Sequence, residues 1–235
     1  MYVPDDYRAP DPGWPADLVR DNPLALLSTN GEGAPHATHL PVITRPGSVF
    51  EPGGVLLGHL NRANPHWSAL VDGGPALLVF TGPHGYVSPC VYATSPAAPT
   101  WDFTAVHVRG SIHPIVDRSG TIAVIQATVR TFESRLGQNW DMTTSYRYFN
   151  EILPGVGAFQ FEITEIDAMF KLSQEQRPEL RQRVLRSFRT SSTGQHRQLA
   201  ELMSRLDGAD GSPAVAAECP VPPAGPGAGA AETLD

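Results

Sequence analysis

The alternation of apolar and polar residues along the chain marks six short runs that are typical of β-strands. The runs cover residues 24–29, 34–43, 54–60, 75–81, 104–116 and 156–166. Asn30-Gly31-Glu32-Gly33 joins the first two runs and has the composition of a hairpin turn. The pattern therefore predicts an antiparallel sheet that begins with a β-hairpin.

Helical spacing of apolar residues appears between and after these runs. A short helix carries Leu18 and Val19, and another begins at Asn64-Pro65, where Asn caps and Pro suits the first helical position. Further helices are predicted for residues 122–136, 145–153, 177–189 and 196–206. Strands interrupted by helices and followed by a late strand indicate an α+β, mainly β fold: a closed antiparallel barrel with added helices.

The composition changes near residue 208, after which Gly, Ala and Pro dominate. Such a segment has too little apolar surface to offset the entropy of ordering it. We therefore expect one barrel domain with C-terminal helices over residues 1–207 and a disordered Gly/Ala/Pro-rich tail over residues 208–235. The arginines of residues 177–189 are interpreted as a solvated helix face.

The charge of the chain narrows the possible partners. Its 235 residues include 24 acidic and 17 basic side chains, a net charge of -7, which argues against nucleic acid as a partner.

No run approaches the roughly 18 apolar residues that span a bilayer. The first residues also lack the order of a signal peptide. We expect a cytoplasmic protein without a membrane or nucleic-acid partner, and the distant Cys90 and Cys219 predict no disulfide framework.

The first group of candidate residues lies between Gly58 and Trp67. His59 ends a predicted strand, and Arg62 precedes the helix that Asn64 caps. A helix start with a nearby guanidinium attracts phosphate or carboxylate groups, which suits a cofactor with acidic arms. The simpler alternative is that His59 is a core histidine and Asn64 only a cap.

A second group combines aromatic residues with Gly and Pro. Residues 80–89 contain two glycines and two prolines, which predict an unusual backbone path, and Tyr86 and Trp101 could form walls for a flat ring system. Lys171 follows the last predicted strand and could meet a phosphate or propionate. Core aromatics on turns and a surface lysine are the alternative interpretation.

Five segments together give the chain its resemblance to a known family. They are THLP at residues 38–41, GHLNRANPHW at 58–67, FTGPHGYVSP at 80–89, PTW at 99–101 and KLSQ at 171–174. In this order they resemble the PaiB family, whose members are described as FMN-binding negative transcriptional regulators. The resemblance implies a flavin-reductase-like split β-barrel over most of residues 1–190, and a homodimer whose cofactor clefts are completed across the subunit interface.

Departures from the family pattern favour one branch of it. Asp102 and Glu175 stand where the family usually has Asn, and Cys90-Val91 replaces a usual Trp. Carboxylates are unfavourable neighbours for a flavin phosphate. The chain is therefore most similar to the haem-dependent piperazate synthases, which implies haem b rather than FMN and conversion of N5-hydroxy-L-ornithine to L-piperazic acid.

This branch implies a role for each candidate residue. His59 would be the axial metal ligand, with His39, His66, His84 and Cys90 as competitors. Arg62 and Lys171 would bind haem propionates or the substrate carboxylate, and Asp102 or Glu175 would accept a proton. Asn64, Trp67, Tyr86 and Trp101 complete the predicted cofactor site. Two alternatives remain: an FMN-binding regulator and a flavin-dependent oxidoreductase.

Overall fold

The computed structural model describes residues 1–137 and 140–208. Six antiparallel strands close into a barrel in the order β1-β2-β3-β6-β5-β4, because β1 pairs with both β2 and β4. The strands are β1 (Leu24–Thr29), β2 (His36–Thr44), β3 (Val55–Asn61), β4 (Gly74–Val87), β5 (Thr100–Ile115) and β6 (Val156–Lys171). The predicted antiparallel barrel is confirmed.

Helices cover the outside and the ends of the barrel. They are α1 (Gly13–Asp21), α2 (Pro65–Leu70), α3 (Pro89–Tyr92), α4 (Arg118–Leu136), α5 (Tyr146–Ile152), α6 (Pro178–Arg189) and α7 (Gly194–Leu206). Short 3₁₀ turns occupy Asp5–Tyr7, Met142–Ser145 and Leu153–Gly155. In residues 1–137 and 140–208, no helix is long and apolar enough to cross a membrane. The predicted tail lies outside the described residues except for Gly208.

The barrel interior is filled by aromatic and aliphatic side chains. Phe80, Phe159 and Phe161 are completely buried, and each such side chain contributes roughly 2–3 kcal/mol by leaving water. Gly58 makes room for this packing, since a Cβ there would lie 2.4 Å from the ring of Phe159. The glycine before His59 is therefore a requirement of the core.

Three strands are longer than the alternation predicts. β4 does not end in tight turns at Gly82 and Pro83 but continues to Val87, with a shift of register between Thr81 and His84. Gly82 permits this path because a Cβ there would lie 2.3 Å from the Thr104 hydroxyl. A bulge of this kind accommodates residues that regular pairing does not. β5 and β6 are extended in the same way, so the second candidate group lies on paired strands.

The prediction that the arginines of α6 form a solvated face is wrong for Arg181. Only 12% of its side chain is exposed, and it forms an ion pair with Asp207. Its Nε donates to the carbonyl of Leu172 at 3.2 Å, and Nη2 donates to that of Met203 at 3.3 Å. Arg181 therefore links α6 to the end of β6 and to α7.

Candidate functional site

A cleft lies where β3 ends, between β2 and the turn that leads into β6. Its volume is about 520 Å³, which is in the range of small-molecule and cofactor sites. The lining residues come from β2, β3, the start of α2 and the segment before β6. They are Thr38, His39, Leu40, Pro41, His59, Leu60, Asn61, Asn64, Ile152, Gly155 and Val156.

His59 is a half-buried imidazole on the wall of this cleft. It is placed by β3, where it pairs with Ala158 of β6. Its Nδ1 is buried and has no hydrogen-bond partner within the described residues. Burial lowers the pKa of His59, so the ring is held in its neutral form. A neutral imidazole is the form in which histidine binds a metal.

The residues of the cleft fit an axially bound haem better than a bare metal ion. Within residues 1–137 and 140–208, no group of three or more His, Cys, Asp or Glu side chains could hold an ion. Haem needs only one protein ligand because the porphyrin supplies the other nitrogens, and proximal histidine is a common choice. Leu40, Pro41 and Val156 give the cleft the apolar surface that a porphyrin face requires.

Asn64 is held in place from both ends of its amide. Its Oδ1 accepts from the backbone N–H of His66 at 3.0 Å, which caps α2, and its Nδ2 donates to the Thr38 hydroxyl at 3.2 Å. Asn64 therefore joins α2 to β2 and shapes the cleft wall. The interpretation of Asn64 as a helix cap is confirmed, and the same residue lines the cleft.

His66 lies behind this wall and is buried, with 2% of its surface exposed. Its Nδ1 lies 2.9 Å from the hydroxyl of Thr38, and its Nε2 lies 2.9 Å from that of Thr29. The ring of His36 stacks on it with centroids 5.2 Å apart. Both ring nitrogens of His66 are engaged, so it is a poorer candidate than His59 for binding iron.

Arg62 and Trp67 support the cleft from outside its lining. The Nε of Arg62 donates to the carbonyl of Val156 at 2.9 Å, and its guanidinium lies 5.5 Å from the centre of the Trp67 ring. Trp67 is buried in the core, and a Cβ on Gly157 would lie 2.4 Å from its ring. Arg62 remains exposed at the cleft margin, where its free nitrogens can meet an anionic group.

Tyr86, Trp101 and Lys171 lie at another end of the barrel. Tyr86 pairs with Trp101 across β4 and β5, their ring centroids are 5.9 Å apart, and both are about half exposed. His84 joins them, with its ring centroid 6.1 Å from that of Trp101. The Lys171 ammonium donates to the Thr100 hydroxyl and lies 5.7 Å from the Tyr7 ring centre. The predicted aromatic wall therefore exists, without His59 beside it.

Asp102 is enclosed near this second group. Its side chain is completely buried, its Oδ2 accepts from the Ser173 hydroxyl at 2.6 Å, and its Oδ1 has no partner within the described residues. Burial raises the pKa of Asp102 to about 6, with a further increase from Glu175, while the Ser173 hydrogen bond and the Lys171 charge oppose the shift. Asp102 therefore titrates close to neutral pH.

Glu175 is exposed on the surface near Tyr7. Burial, followed by the charge of Glu175, raises the pKa of Tyr7 to about 12. Tyr92 is buried next to these groups, its hydroxyl has no hydrogen-bond partner among the described residues, and its pKa is raised by burial and then by the Asp102 charge. Tyr7, Tyr92 and Ser173 were not predicted as site residues from sequence. Ser173 lies within the KLSQ segment, which could have drawn attention to it, whereas no local pattern sets Tyr7 or Tyr92 apart.

In one chain the predicted site residues thus form two separate groups. His59 pairs with Ala158 at the start of β6, whereas Lys171 ends the same strand, so about 40 Å of strand lies between them. The structure brings His59, Asn64 and Arg62 together and keeps them apart from the Asp102 group.

The fold and the two groups define a class of protein: a six-stranded, flavin-reductase-like split β-barrel. The solved structure of the "FAD and Heme binding protein" of Mycobacterium smegmatis is similar to this chain, with a TM-score of 0.52 and 19% identity. The match covers 69% of this chain and 72% of that one. The flavocytochrome Anf3 of Azotobacter vinelandii matches with a TM-score of 0.50 and 16% identity, over 68% and 67% of the two chains.

Sequence comparison gives the family. The family model described as "Putative FMN-binding domain" matches residues 1–165. The "Protease synthase and sporulation protein PAI 2" of Bacillus subtilis is 25% identical over 206 residues, covering 86% of this chain and 96% of that protein. The chain belongs to the PaiB family.

Proposed function

We propose that this chain is a haem b enzyme that converts N5-hydroxy-L-ornithine to L-piperazic acid, with His59 as the axial ligand. The observation that carries the proposal is the neutral, half-buried His59 imidazole on the wall of a cleft of about 520 Å³. The names of two structural neighbours, a FAD and Heme binding protein and a flavocytochrome, are consistent with haem in this fold.

The reaction forms one N–N bond and breaks one N–O bond. The lone pair of the α-nitrogen attacks N5, the N5–O bond breaks, and the hydroxyl group leaves as water with a proton from the α-ammonium, so nothing is oxidised or reduced overall. Bound haem would supply a Lewis acid that polarises the N–O bond. His59 would hold the haem iron, and the residues of the cleft would shape the site and place the substrate.

Arg62 is proposed to bind the carboxylate of the substrate or a haem propionate. Its Nε is fixed by the carbonyl of Val156, and its stacking on Trp67 limits its orientations. A guanidinium held in this way pairs with a carboxylate through its remaining N–H groups. Its exposure at the cleft margin leaves those groups accessible.

We also propose that the working form is a homodimer. Lys171 ends β6, about 40 Å of strand from the Ala158 partner of His59, which is too far to reach the His59 cleft of its own chain. Strand pairing puts Tyr86, Trp101 and Asp102 at the same end of the barrel as Lys171, and Glu175 follows it in sequence. A second copy can supply such residues to that cleft. In this arrangement Tyr86 and Trp101, which are about half exposed here, would cover one face of the cofactor.

The experiment is an absorption spectrum of the purified chain, followed by a turnover assay. The account predicts a haem Soret band and a product lighter than hydroxyornithine by one water. The control is L-ornithine, which lacks the N–O bond and should give no product. Purified chain that neither contains nor takes up haem, or haem-loaded chain without cyclisation, would refute the proposal.

The second candidate is an FMN-binding regulator, and the description of the matching family model favours it. The same spectrum separates the two because oxidised flavin shows paired visible bands and no Soret band. A flavin-dependent oxidoreductase would share that spectrum but would lose its colour on reduction by its substrate.

A further inference from the structure

The arrangement of Thr29, His66 and Thr38 behind the cleft points to a proton relay that opens into the cleft at the Thr38 hydroxyl. This inference rests on the proposed function, because the reaction must carry one proton from the α-ammonium to the departing hydroxyl. Thr38 lines the cleft, while His66 is buried behind it. The relay thus has one end on the substrate side and one in the core.

The tautomer of His66 that carries its hydrogen on Nε2 gives the relay its direction. Asn64 Nδ2 donates to Thr38 Oγ1, so the Thr38 proton is free to be donated to His66 Nδ1 at 2.9 Å. His66 Nε2 then carries the hydrogen and donates to Thr29 at 2.9 Å. One lone pair of the Thr38 oxygen remains, and because Thr38 lines the cleft this lone pair is proposed to accept from a ligand there. Every donor and acceptor has a role in this tautomer.

The protons balance in two transfers. The α-ammonium gives one proton to Thr38 Oγ1 as the Thr38 proton passes to His66 Nδ1, and the freed lone pair forms the N–N bond. As the N–O bond breaks, Thr38 donates to the departing oxygen and His66 returns the proton, so that water leaves. Thr38 is the catalytic residue because it contacts the substrate, and His66 is a positioning residue that acts through it.

His66 is suited to this role because it is neutral at rest. Burial lowers its pKa, and so does the charge of His36, the titratable ring that stacks on it from β2. The other two side chains in contact with its nitrogens are threonines, which do not titrate near neutrality. The relay accepts a proton only while His66 is neutral, so kcat/KM should fall as the pH drops below the pKa of His66.

Two isosteric substitutions provide a matched test. Thr38→Val and Thr29→Val each remove one hydroxyl partner of His66, but only Thr38→Val cuts the connection to the cleft. In Thr38→Val we expect kcat to fall by about 100-fold or more while the haem spectrum and KM change little. Thr29→Val leaves the connection to the cleft in place, so its loss of kcat should be smaller than that of Thr38→Val, and Thr38→Ser, which keeps the hydroxyl, should restore kcat.

A second measurement tests the relay apart from the reaction. Nitrogen-15 NMR of the full chain without haem reports how fast the ring N–H protons of His66 exchange with water. Exchange should be slower in Thr38→Val than in Thr29→Val, since cleft water reaches the ring through Thr38. Equal kcat losses, an unchanged kcat in Thr38→Val, or slower exchange in Thr29→Val would overturn the relay. An inactive haem-loaded parent would refute the proposed reaction, and the exchange rates would still decide the relay.

Discussion

Asp102 and Ser173 face each other across the ends of β5 and β6, and both side chains are completely buried. The Ser173 hydroxyl donates to Asp102 Oδ2 at 2.6 Å. Ser173 has a positive φ of 58°, a conformation that non-glycine residues seldom adopt. The hydrogen bond therefore holds a strained turn, and it does so with a carboxyl group that titrates near neutrality.

Replacing Asp102 by Asn should stabilise the protein at pH 7.5. The pKa of Asp102 is about 6 in the folded chain against 3.8 for a free group, so the folded state favours the protonated form. The contribution of Asp102 to the free energy of unfolding is fully present below about pH 4. It is lost as the pH rises through about 6, and the loss amounts to at most about 3 kcal/mol. Asn keeps an oxygen for Ser173 without the charge. Urea unfolding between pH 4.5 and 7.5 measures the difference.

Asp167→Asn is the control, because it should change the free energy of unfolding at pH 7.5 in the opposite direction. Asp167 pairs with Arg109 at 2.6 Å, and hydrogen bonds and charges of its neighbours hold its pKa below the ordinary value despite burial. Its contribution is present at neutral pH and lost on acidification, so its Asn variant should be less stable than the parent at pH 7.5. If Asp102→Asn were also less stable than the parent at pH 7.5, burial of the Asp102 charge would not destabilise the folded chain.

The substitution Gly157→Ala should destabilise the chain by about 1–3 kcal/mol, because the new methyl group overlaps the Trp67 ring at 2.4 Å. Gly155→Ala is the matched control, since no atom lies within 4 Å of the added Cβ. Thermal melting compares the two. Equal melting temperatures would show that Trp67 adjusts without cost and does not fix the base of the cleft.

Arg181→Ala should cost about 2–3 kcal/mol, because it removes the Arg181 partner of the Leu172 carbonyl and of Asp207 and one of the two hydrogen bonds to the Met203 carbonyl. Arg177→Ala, at the exposed start of the same helix, should change stability by no more than about 0.5 kcal/mol. The two variants are compared by urea unfolding. If they are equally stable, Arg181 belongs to a solvated face after all.

Mixed dimers test whether two chains build one site. His59→Ala and Trp101→Ala are predicted to bind haem poorly when each is expressed alone. In a mixed dimer, one cleft would combine both intact residues and the other would combine both substitutions. Co-expression with two affinity tags should therefore restore about one haem per dimer. Mixed dimers that bind no more haem than the parents would place the whole site within one chain.

The barrel could be predicted because its strands alternate and its turns carry Gly, Asn and Pro. The predicted strand ends were wrong where pairing with a neighbouring strand overrides the local turn preference of Gly and Pro. Gly82 and Pro83 suggest turns, yet β4 continues through them because β5 provides a partner and a bulge absorbs the misfit. Arg181 was misjudged for a related reason: its partners come from β6 and α7, which are distant in sequence.

The candidate site was predictable only in part. His59, Asn64 and Arg62 are close in sequence, and the structure brings them together as expected. Thr38 lies within the recognised THLP segment, but its contact with His66 depends on how α2 packs against β2. The separation of Lys171 from His59 follows from the length of β6, which alternation underestimated.

The spectrum of haem-loaded His59→Ala tests the central claim most directly. His39→Ala is the control, because His39 lines the same cleft but is exposed. Without the axial nitrogen we expect a shifted or lost Soret band and a fall in cyclisation by orders of magnitude, in a chain that still unfolds cooperatively. The control should keep the parental spectrum. A folded His59→Ala variant that kept both the parental spectrum and the parental turnover would contradict the account.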